Sequence, residues 1–400
     1  MTGKASVSPE RRGASGGWGN WLTRKLAGAH RMRSFLPTRL KQLGSRWLPE
    51  SYYREMWSAA EAPHQVEEYS TYHPKVDVNF GVLKAYATKH YHIVGACRDL
   101  GAPYRLIDLT GPDWIDRLRE CQCDAYLVWP SCRHTVWRQI YDERLKIIVD
   151  EFGRRIYPTY DELWLYESKR RMHYWMEAHN LPHAKTWVFY SYDQAMEFAR
   201  TAALPIVAKT DIGAGSSGVR VHRTRSSLLR DVRRVFNRGV VVRAGDLRDR
   251  QWGYILLQEY IPNAREWRMI RIGDSYFGFE KLRKGEFHSG TRQRRYALPP
   301  SELLDFVRGL TDRAQFTSMD LDILVSEDGT YYVSELQAVF GMSRPECCVV
   351  DNKPGRMLYD ATSHTWRFEA GSFGQNHLWN LRLEYLISQL QQQRSPGLTK

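Results

Sequence analysis

The spacing of hydrophobic and polar positions changes period repeatedly along the chain, and each change marks an element. KHYHIVGACRDLGAPYRLIDL, from Lys89, predicts a helix stopped at Gly101 and a strand over 104–109. DAYLVWP (124–130) is a short apolar run closed by proline, as in a buried parallel strand. ERLKIIVDEFG predicts a helix with a stop at Gly153, and RIYPTY a further short strand. These elements form an α/β layer over 75–160.

Beyond it, DELWLYESKRRMHYWMEAHNLP, from Asp161, predicts one helix carrying aromatics throughout. TWVFY is a strand, and SYDQAMEFAR a helix capped by Ser191. Residues 204–223 give strand, glycine loop, strand, and Ser226 to Phe236 a helix with basic outer positions. Residues 254–261, 266–272 and 276–282 are successive strands, and 301–315 is helical. ILV (323–325), the EDG turn and YYVSEL form a hairpin. Residues 376–391 are an amphipathic helix, and no internal repeat is visible.

The first 60 residues form a basic extension. Residues 1–17 have the Gly, Ser and Arg-rich composition of a disordered segment. From Trp18, apolar residues fall at helical spacing (Trp18, Trp21, Leu22, Leu26), with Lys and Arg opposite. Two readings of residues 18–48 stay open: a peripheral membrane helix, or a helix docked on its own domain. Residues 1–55 hold eleven Lys/Arg against three Asp/Glu, so most of the net charge of +13 sits there. The charge therefore does not mark the whole chain as nucleic-acid binding. With no zinc-finger spacing and no RRM aromatics, no specific nucleic-acid partner is expected.

No apolar run approaches the roughly 18 residues of a membrane span, and the N-terminus lacks the apolar core of a secretory signal. The expected location is cytoplasmic, at the inner membrane surface if residues 18–48 engage it. The six cysteines form no C-x-x-C pair, and no His spacing matches a zinc site. Cys347 and Cys348 are read as two thiols.

Two stretches carry candidate chemistry. TDIGAGSSGVRVH (210–222) contains G-x-G-x-x-G, but Gly218 leads into an alternating strand rather than a helix, which argues against a dinucleotide fold. A glycine loop between antiparallel strands suits a phosphate lid, with Lys209 aimed at the same phosphates; a plain hairpin tip is the alternative. In VSELQAVFG (333–341), Glu335 and Gln337 stand two apart, so they share a strand face. Two readings stay open for this pair: a solvent-facing edge strand, or part of an oxygen set suited to Mg²⁺.

The order of these features, from about Pro158 to Gly341, resembles the ATP-grasp superfamily, most of all the carboxylate–amine ligases of the glutathione-synthetase and ribosomal-protein glutamate-ligase type. The resemblance implies an α/β (α+β) chain: an ATP-grasp domain over 161–350 after the small parallel α/β domain, then a C-terminal segment and helix over 351–400. It implies ATP and Mg²⁺ or Mn²⁺ as cofactors. Lys169, Lys209 and the lid residues Gly213, Gly215, Ser216, Ser217 and Gly218 would hold phosphates. Gln258, Glu259, Tyr260 and Ile261, in the hinge near 258–262, would edge the adenine, with backbone groups at 259–261 reading it. Glu266 would lie near the ribose or a lysine. Arg268 and Arg283 would be catalytic, and Asp322, Glu335 and Gln337 metal ligands. Arg292, Arg294 and Arg295 would either bind an acidic substrate or form a solvated loop.

The implied reaction joins a small or polymer-linked carboxylate to an amine, or to a hydroxyl or thiol, through an acyl phosphate. The family likeness also admits a homodimer. Two other readings stay open: a kinase of the same fold, and a non-catalytic nucleotide-binding scaffold, for which the Gln in place of Asn at 337 is the one sequence argument.

Overall fold

The structure, a computed structural model, describes residues 66–86, 88–213, 218–242, 246–283, 285, 293–341 and 349–394. The amphipathic segment 18–48, the lid residues Gly215, Ser216 and Ser217, Arg292, and Cys347 and Cys348 lie outside them. The described residues from Val66 onward belong to one compact unit.

Its first layer is a parallel sheet. Strands β1 (Phe80–Lys84), β2 (Tyr104–Asp108), β3 (Ala125–Val128) and β4 (Ile156–Tyr157) lie in the order β2-β1-β3-β4. Helices α1 (His90–Leu100), α2 (Trp114–Glu120) and α3 (Thr135–Lys146) connect them. Gly101 ends α1 at φ 64°, where its N–H closes the last turn onto Arg98 and Cys97 carbonyls. Helix α3 runs into a π-helical turn, Ile147–Glu151, before the stop at Gly153.

The stretch expected to be one long helix is two: α4 (Tyr160–Leu165) and α5 (Lys169–Ala178). The reason is local. Glu167 takes a positive φ of 57°, and Ser168 turns its hydroxyl onto the Arg171 N–H as the cap of a new helix. Helix α4 is held by a capping box of Thr159 and Glu162. The buried Glu162 carboxylate also accepts from the Thr317 and Ser318 N–H groups at 2.6 and 2.7 Å.

A second sheet, in the order β5-β10-β6-β7, is built from β5 (Thr186–Phe189), β6 (Ile206–Lys209), β7 (Val219–His222) and β10 (Ile255–Glu259), all antiparallel. Helices α6 (Tyr192–Thr201) and α7 (Arg225–Arg238) cover one face. Ile206, Ala208, Ile255 and Leu257 pack there with Ala195, Met196, Leu228, Val232 and Val235 in a core of their own. A two-stranded ribbon, β8 (Val240–Val241) with β9 (Arg250–Gln251), precedes β10.

The third sheet has eight strands. Its spine runs β15 (Tyr331–Gln337), β14 (Ser318–Val325), β11 (Arg265–Ile272), β12 (Ser275–Lys281), β17 (Lys353–Asp360) and β16 (Val349–Val350). Strand β13 (Arg294–Arg295) pairs β12, and β18 (Thr365–Ala370) pairs β17. The β17–β18 hairpin falls in the C-terminal segment, where no strands were expected. Helices α8 (Ser301–Arg313) and α9 (Trp379–Arg394) complete the fold. Trp379, Leu383, Leu386, Ile387 and Leu390 bury one stripe of α9 in the large core that the parallel layer and this sheet share. Among the described residues, no helix is long and apolar enough to cross a membrane.

Candidate active site

The floor of the site is the polar face of the eight-stranded sheet. Side chains alternate along a strand. Trp267, Met269, Leu321, Ile323 and Leu336 therefore take the face turned into the core, and their neighbours the other. Glu335, Asp322, Arg268 and Phe279 form one row across β15, β14, β11 and β12. Gln337, Asp320 and Ile270 form the next row, and Glu266 stands opposite Lys281 on the far side. A bulge between Asp322 and Ile323 shifts the register beside Glu335, a common device for re-aiming a side chain.

Four oxygen-bearing side chains thus form a block, Asp322 and Glu335 beside Asp320 and Gln337. Three of them were expected from the sequence. Asp320, two residues before Asp322 and on the same face, was not, although the strand period was its signal.

The block is cross-linked by cations. The Arg268 guanidinium grips Asp322 through Nε (2.9 Å) and Nη2 (3.0 Å), while Nη1 lies 3.0 Å from Asp320. Lys281 Nζ donates to Glu266 Oε1 at 2.6 Å and pairs with Asp322. Lys281 is the second residue missed: the basic group that enters the network from β12 is this one. Arg283 lies on the exposed rim instead, donating to the Gly285 carbonyl at 2.8 Å and the Tyr260 hydroxyl at 3.2 Å. Beyond it, Arg294 stacks over Phe279 and Arg295 pairs with Glu280.

Helix α5 supplies Lys169 as its first residue, and its N-terminus is tied to the glycine loop. Asp211 accepts from Ser168 Oγ (2.8 Å) and Arg170 N–H (2.9 Å), and its carbonyl accepts from Lys169 N–H at 3.1 Å. A carboxylate there satisfies open helix donors and faces the positive end of the helix dipole. The break between α4 and α5 is therefore what brings Lys169 to the loop. Lys169 Nζ, buried, donates to the Gly213 carbonyl at 2.8 Å and lies 3.4 Å from Glu335. Gln337 accepts from the Glu167 N–H at 3.1 Å, so the longer amide spans to the same break.

The roof is the second sheet. Lys209 and Val207 share the face of β6 opposite the helix-covered core, with Leu256 and Gln258 as their register partners on β10. Val207 and Leu256 are buried there, an apolar wall beside the lysine that sequence reading passed over. Gly218, at φ 83°, returns its carbonyl to Thr210 N–H at 3.0 Å, and a Cβ built there would collide with the Thr210 hydroxyl. At the end of β10, Gln258 donates to Thr186 Oγ1 at 2.8 Å. Glu259 accepts from Lys185 N–H at 2.7 Å and gives its own N–H to the Lys185 carbonyl. The Glu259 carboxylate and N–H are thus both engaged by Lys185.

The electrostatics follow from this packing. Burial pushes the Asp322 carboxyl up, but Arg268 and Lys281 outweigh it and hold the group well below the usual range. Burial also raises Glu335, and Lys169, Lys209 and Lys281 together bring it below its ordinary value. Asp320 goes the other way. Burial and the neighbouring Asp322 charge raise it to about 7 against the pull of Arg268, and neither of its oxygens accepts an aligned hydrogen bond. Burial lowers Lys209.

The parallel α/β layer, the four-stranded antiparallel sheet and the eight-stranded sheet together have the ATP-grasp fold. The particular likenesses are these. D-alanine–D-alanine ligase from Bacillus anthracis matches at 13% identity over 80% of this chain and 99% of that one, with TM-score 0.51. The same enzyme complexed with ATP gives TM-score 0.50 over the same shares, again at 13% identity. The biotin carboxylase domain of the Hydrogenobacter thermophilus 2-oxoglutarate carboxylase, solved with MgADP, ADP and bicarbonate, matches at 15% identity over 70% of this chain and 66% of that one, with TM-score 0.49. No protein-family model and no curated protein matches the sequence.

Proposed function

We propose that the chain is an ATP-dependent ligase that activates a carboxylate as an acyl phosphate and transfers it to an amine. One observation carries this reading: a two-by-two block of oxygen ligands faces two lysines supplied by different elements, α5 and β6, across the cleft between the sheets. Such a pairing suits the opposite charges of a metal–polyphosphate.

The residues fit a divalent cation of the Mg²⁺ type. The donors are oxygens on adjacent strands, and Asp320 has buried oxygens without an aligned hydrogen bond. Asp322, Glu335 and Gln337 would hold the ion, with Asp320 beside them. When bound, the ion neutralises charge on phosphate oxygens.

The chain's own side chains do the rest. Lys169 and Lys209 would draw the phosphates to the cleft, with the backbone of the glycine loop closing over them. Arg268 spends its three nitrogens on Asp320 and Asp322, so its work is to set the carboxylates in place. Val207 and Leu256 offer an apolar wall to a purine, and Tyr260 and Ile261 its polar edge. Arg283 on the rim would meet the carboxylate substrate, an assignment resting on its place next to Tyr260.

The test is stoichiometric. Given the right acid and amine, the protein should release ADP and phosphate in equal amounts. Glu335→Ala should remove turnover, and binding of Mg-ATP measured by calorimetry should fall at least about tenfold, since the ligand's charge partner is lost. Unchanged turnover in that variant would refute the site. A screen of acids and amines that yields binding without ADP release would refute the ligase reading and leave the nucleotide site intact.

A further inference from the structure

Helix α5 carries a second group of ligating side chains that takes no part in the site above. His173 and Glu177 follow Lys169 at successive intervals of four, so the three share one stripe of the helix. Just past the helix end the chain turns back, and His183 returns to that stripe. One ligand atom from each of His173, Glu177 and His183 lies within 4.8 Å of the other two. A tetrahedral zinc ion with ligands at roughly 2.0–2.1 Å needs separations of about 3.4 Å. His183 Nε2 and Glu177 Oε2 already stand 3.1 Å apart.

The hydrogen bonding of the two rings is incomplete in a way that points to a cation. His183 Nδ1 lies 2.8 Å from the Leu181 carbonyl, which can only accept, so Nδ1 carries the proton. In the neutral ring Nε2 then presents a lone pair, and what it faces is a carboxylate oxygen. Two acceptors held at that distance need a positive charge between them, either a second proton on the ring or a bound cation. His183 Nε2 is buried and makes no hydrogen bond. His173 is 9% exposed, and its Nδ1 is likewise buried without a partner. The His183–carbonyl contact is also the outer support that metal-bound imidazoles usually have. Glu177 is 70% exposed, so the group opens to water on one side.

We propose that His173, Glu177 and His183 bind a divalent transition-metal ion of the Zn²⁺ class, with water in the fourth position. Two imidazoles and one carboxylate are ligands of that class rather than of Mg²⁺. The consequence is mechanical. Pro182, between the ligands, accepts a hydrogen bond from Val333 N–H at 2.8 Å on β15, the strand of Glu335. The metal would rivet the helix of Lys169 to a segment already fastened to the strand of Glu335.

The test uses the full chain, stripped of metal by chelator dialysis and titrated with ZnCl₂ against a chromophoric chelator. Binding of one equivalent is expected, with a rise in Tm on adding zinc. Glu177→Gln changes an exposed position and should leave the fold intact. It and His183→Gln should each weaken zinc binding by at least about tenfold, the low end of the loss when even an outer partner of a metal is removed. Glu335→Ala should leave it unchanged, which separates this site from the Mg-ATP site. A His–Glu ion pair only, with no zinc bound or with zinc bound equally by wild type and both variants, overturns the proposal.

Discussion

Lys281→Met is the sharpest probe of the buried network. Lys281 is 9% exposed and sits between Glu266, 10% exposed, and Asp322, 3% exposed. Methionine fills much of the same volume, so packing changes little and the charge is what is lost. Asp322 keeps the two-pronged grip of Arg268, whereas Glu266 loses its 2.6 Å bond to the ammonium. Removing one partner of a buried ion pair costs about 3–5 kcal/mol, because the other stays desolvated. The ammonium is held well inside its charged form: burial and Arg268 lower it, but Asp322, Glu266 and Asp320 outweigh them. Urea unfolding should therefore show a loss of about 3–5 kcal/mol at neutral pH. The double variant Lys281→Met/Glu266→Met, which removes the acid partner as well, should recover part of it. A loss below about 1 kcal/mol, the range of a solvated surface pair, would refute the claim that these charges are energetically buried.

Two further outcomes are expected. Asp320 has a folded pKa of about 7 against an ordinary value of 3.8, so between those values the folded state alone holds the proton. Its contribution therefore makes stability fall as pH rises through that window and level off above it. Asp320→Asn should remove this slope, seen as a wild-type-minus-variant difference in urea midpoint that shrinks or changes sign from pH 5 to pH 8; a constant difference would contradict it. Gly218→Ala should cost at least about 1–3 kcal/mol from left-handed backbone strain, and more from the collision with Thr210. Adding Thr210→Ala should relieve the collision and leave the strain, and equal losses in single and double variants would show that the loop simply moves.

Much of the fold was legible because its signals are local. The Gly101 stop, the Ser191 cap and the EDG turn each act within a few residues, and each stands where expected. The α4–α5 break was not legible: the turn at Glu167 and the Ser168 cap are local, but the partners that hold them are distant in sequence. Asp211 and Gln337 hold the ends of the break, and a 22-residue aromatic-rich stretch reads as helical without them. The site divides in the same way. Glu335 and Gln337 share a face by the period of a strand, Asp322 came with the family resemblance, and Asp320 would have followed from the strand period applied to Asp322. Lys281 and Arg283 are both basic residues at the end of one strand, and only register tells which of them meets Glu266. His173, Glu177 and His183 match no zinc spacing because the third ligand arrives after a helix ends.

The separate core of the second sheet has a consequence for how the molecule breathes. Its apolar side chains touch one another and α6 and α7, and among the described residues none belongs to both this cluster and the large core. Such a segment can lose its order without exposing the larger core, and so behaves as a cooperative unit of its own. Amide hydrogens on β5, β6, β7 and β10 would then exchange as one group, at a lower opening free energy than those on β11 and β14. A nucleotide bound by Lys169 below and Lys209 above would draw that group's protection toward the global value, because it would tie the opening of one unit to the other.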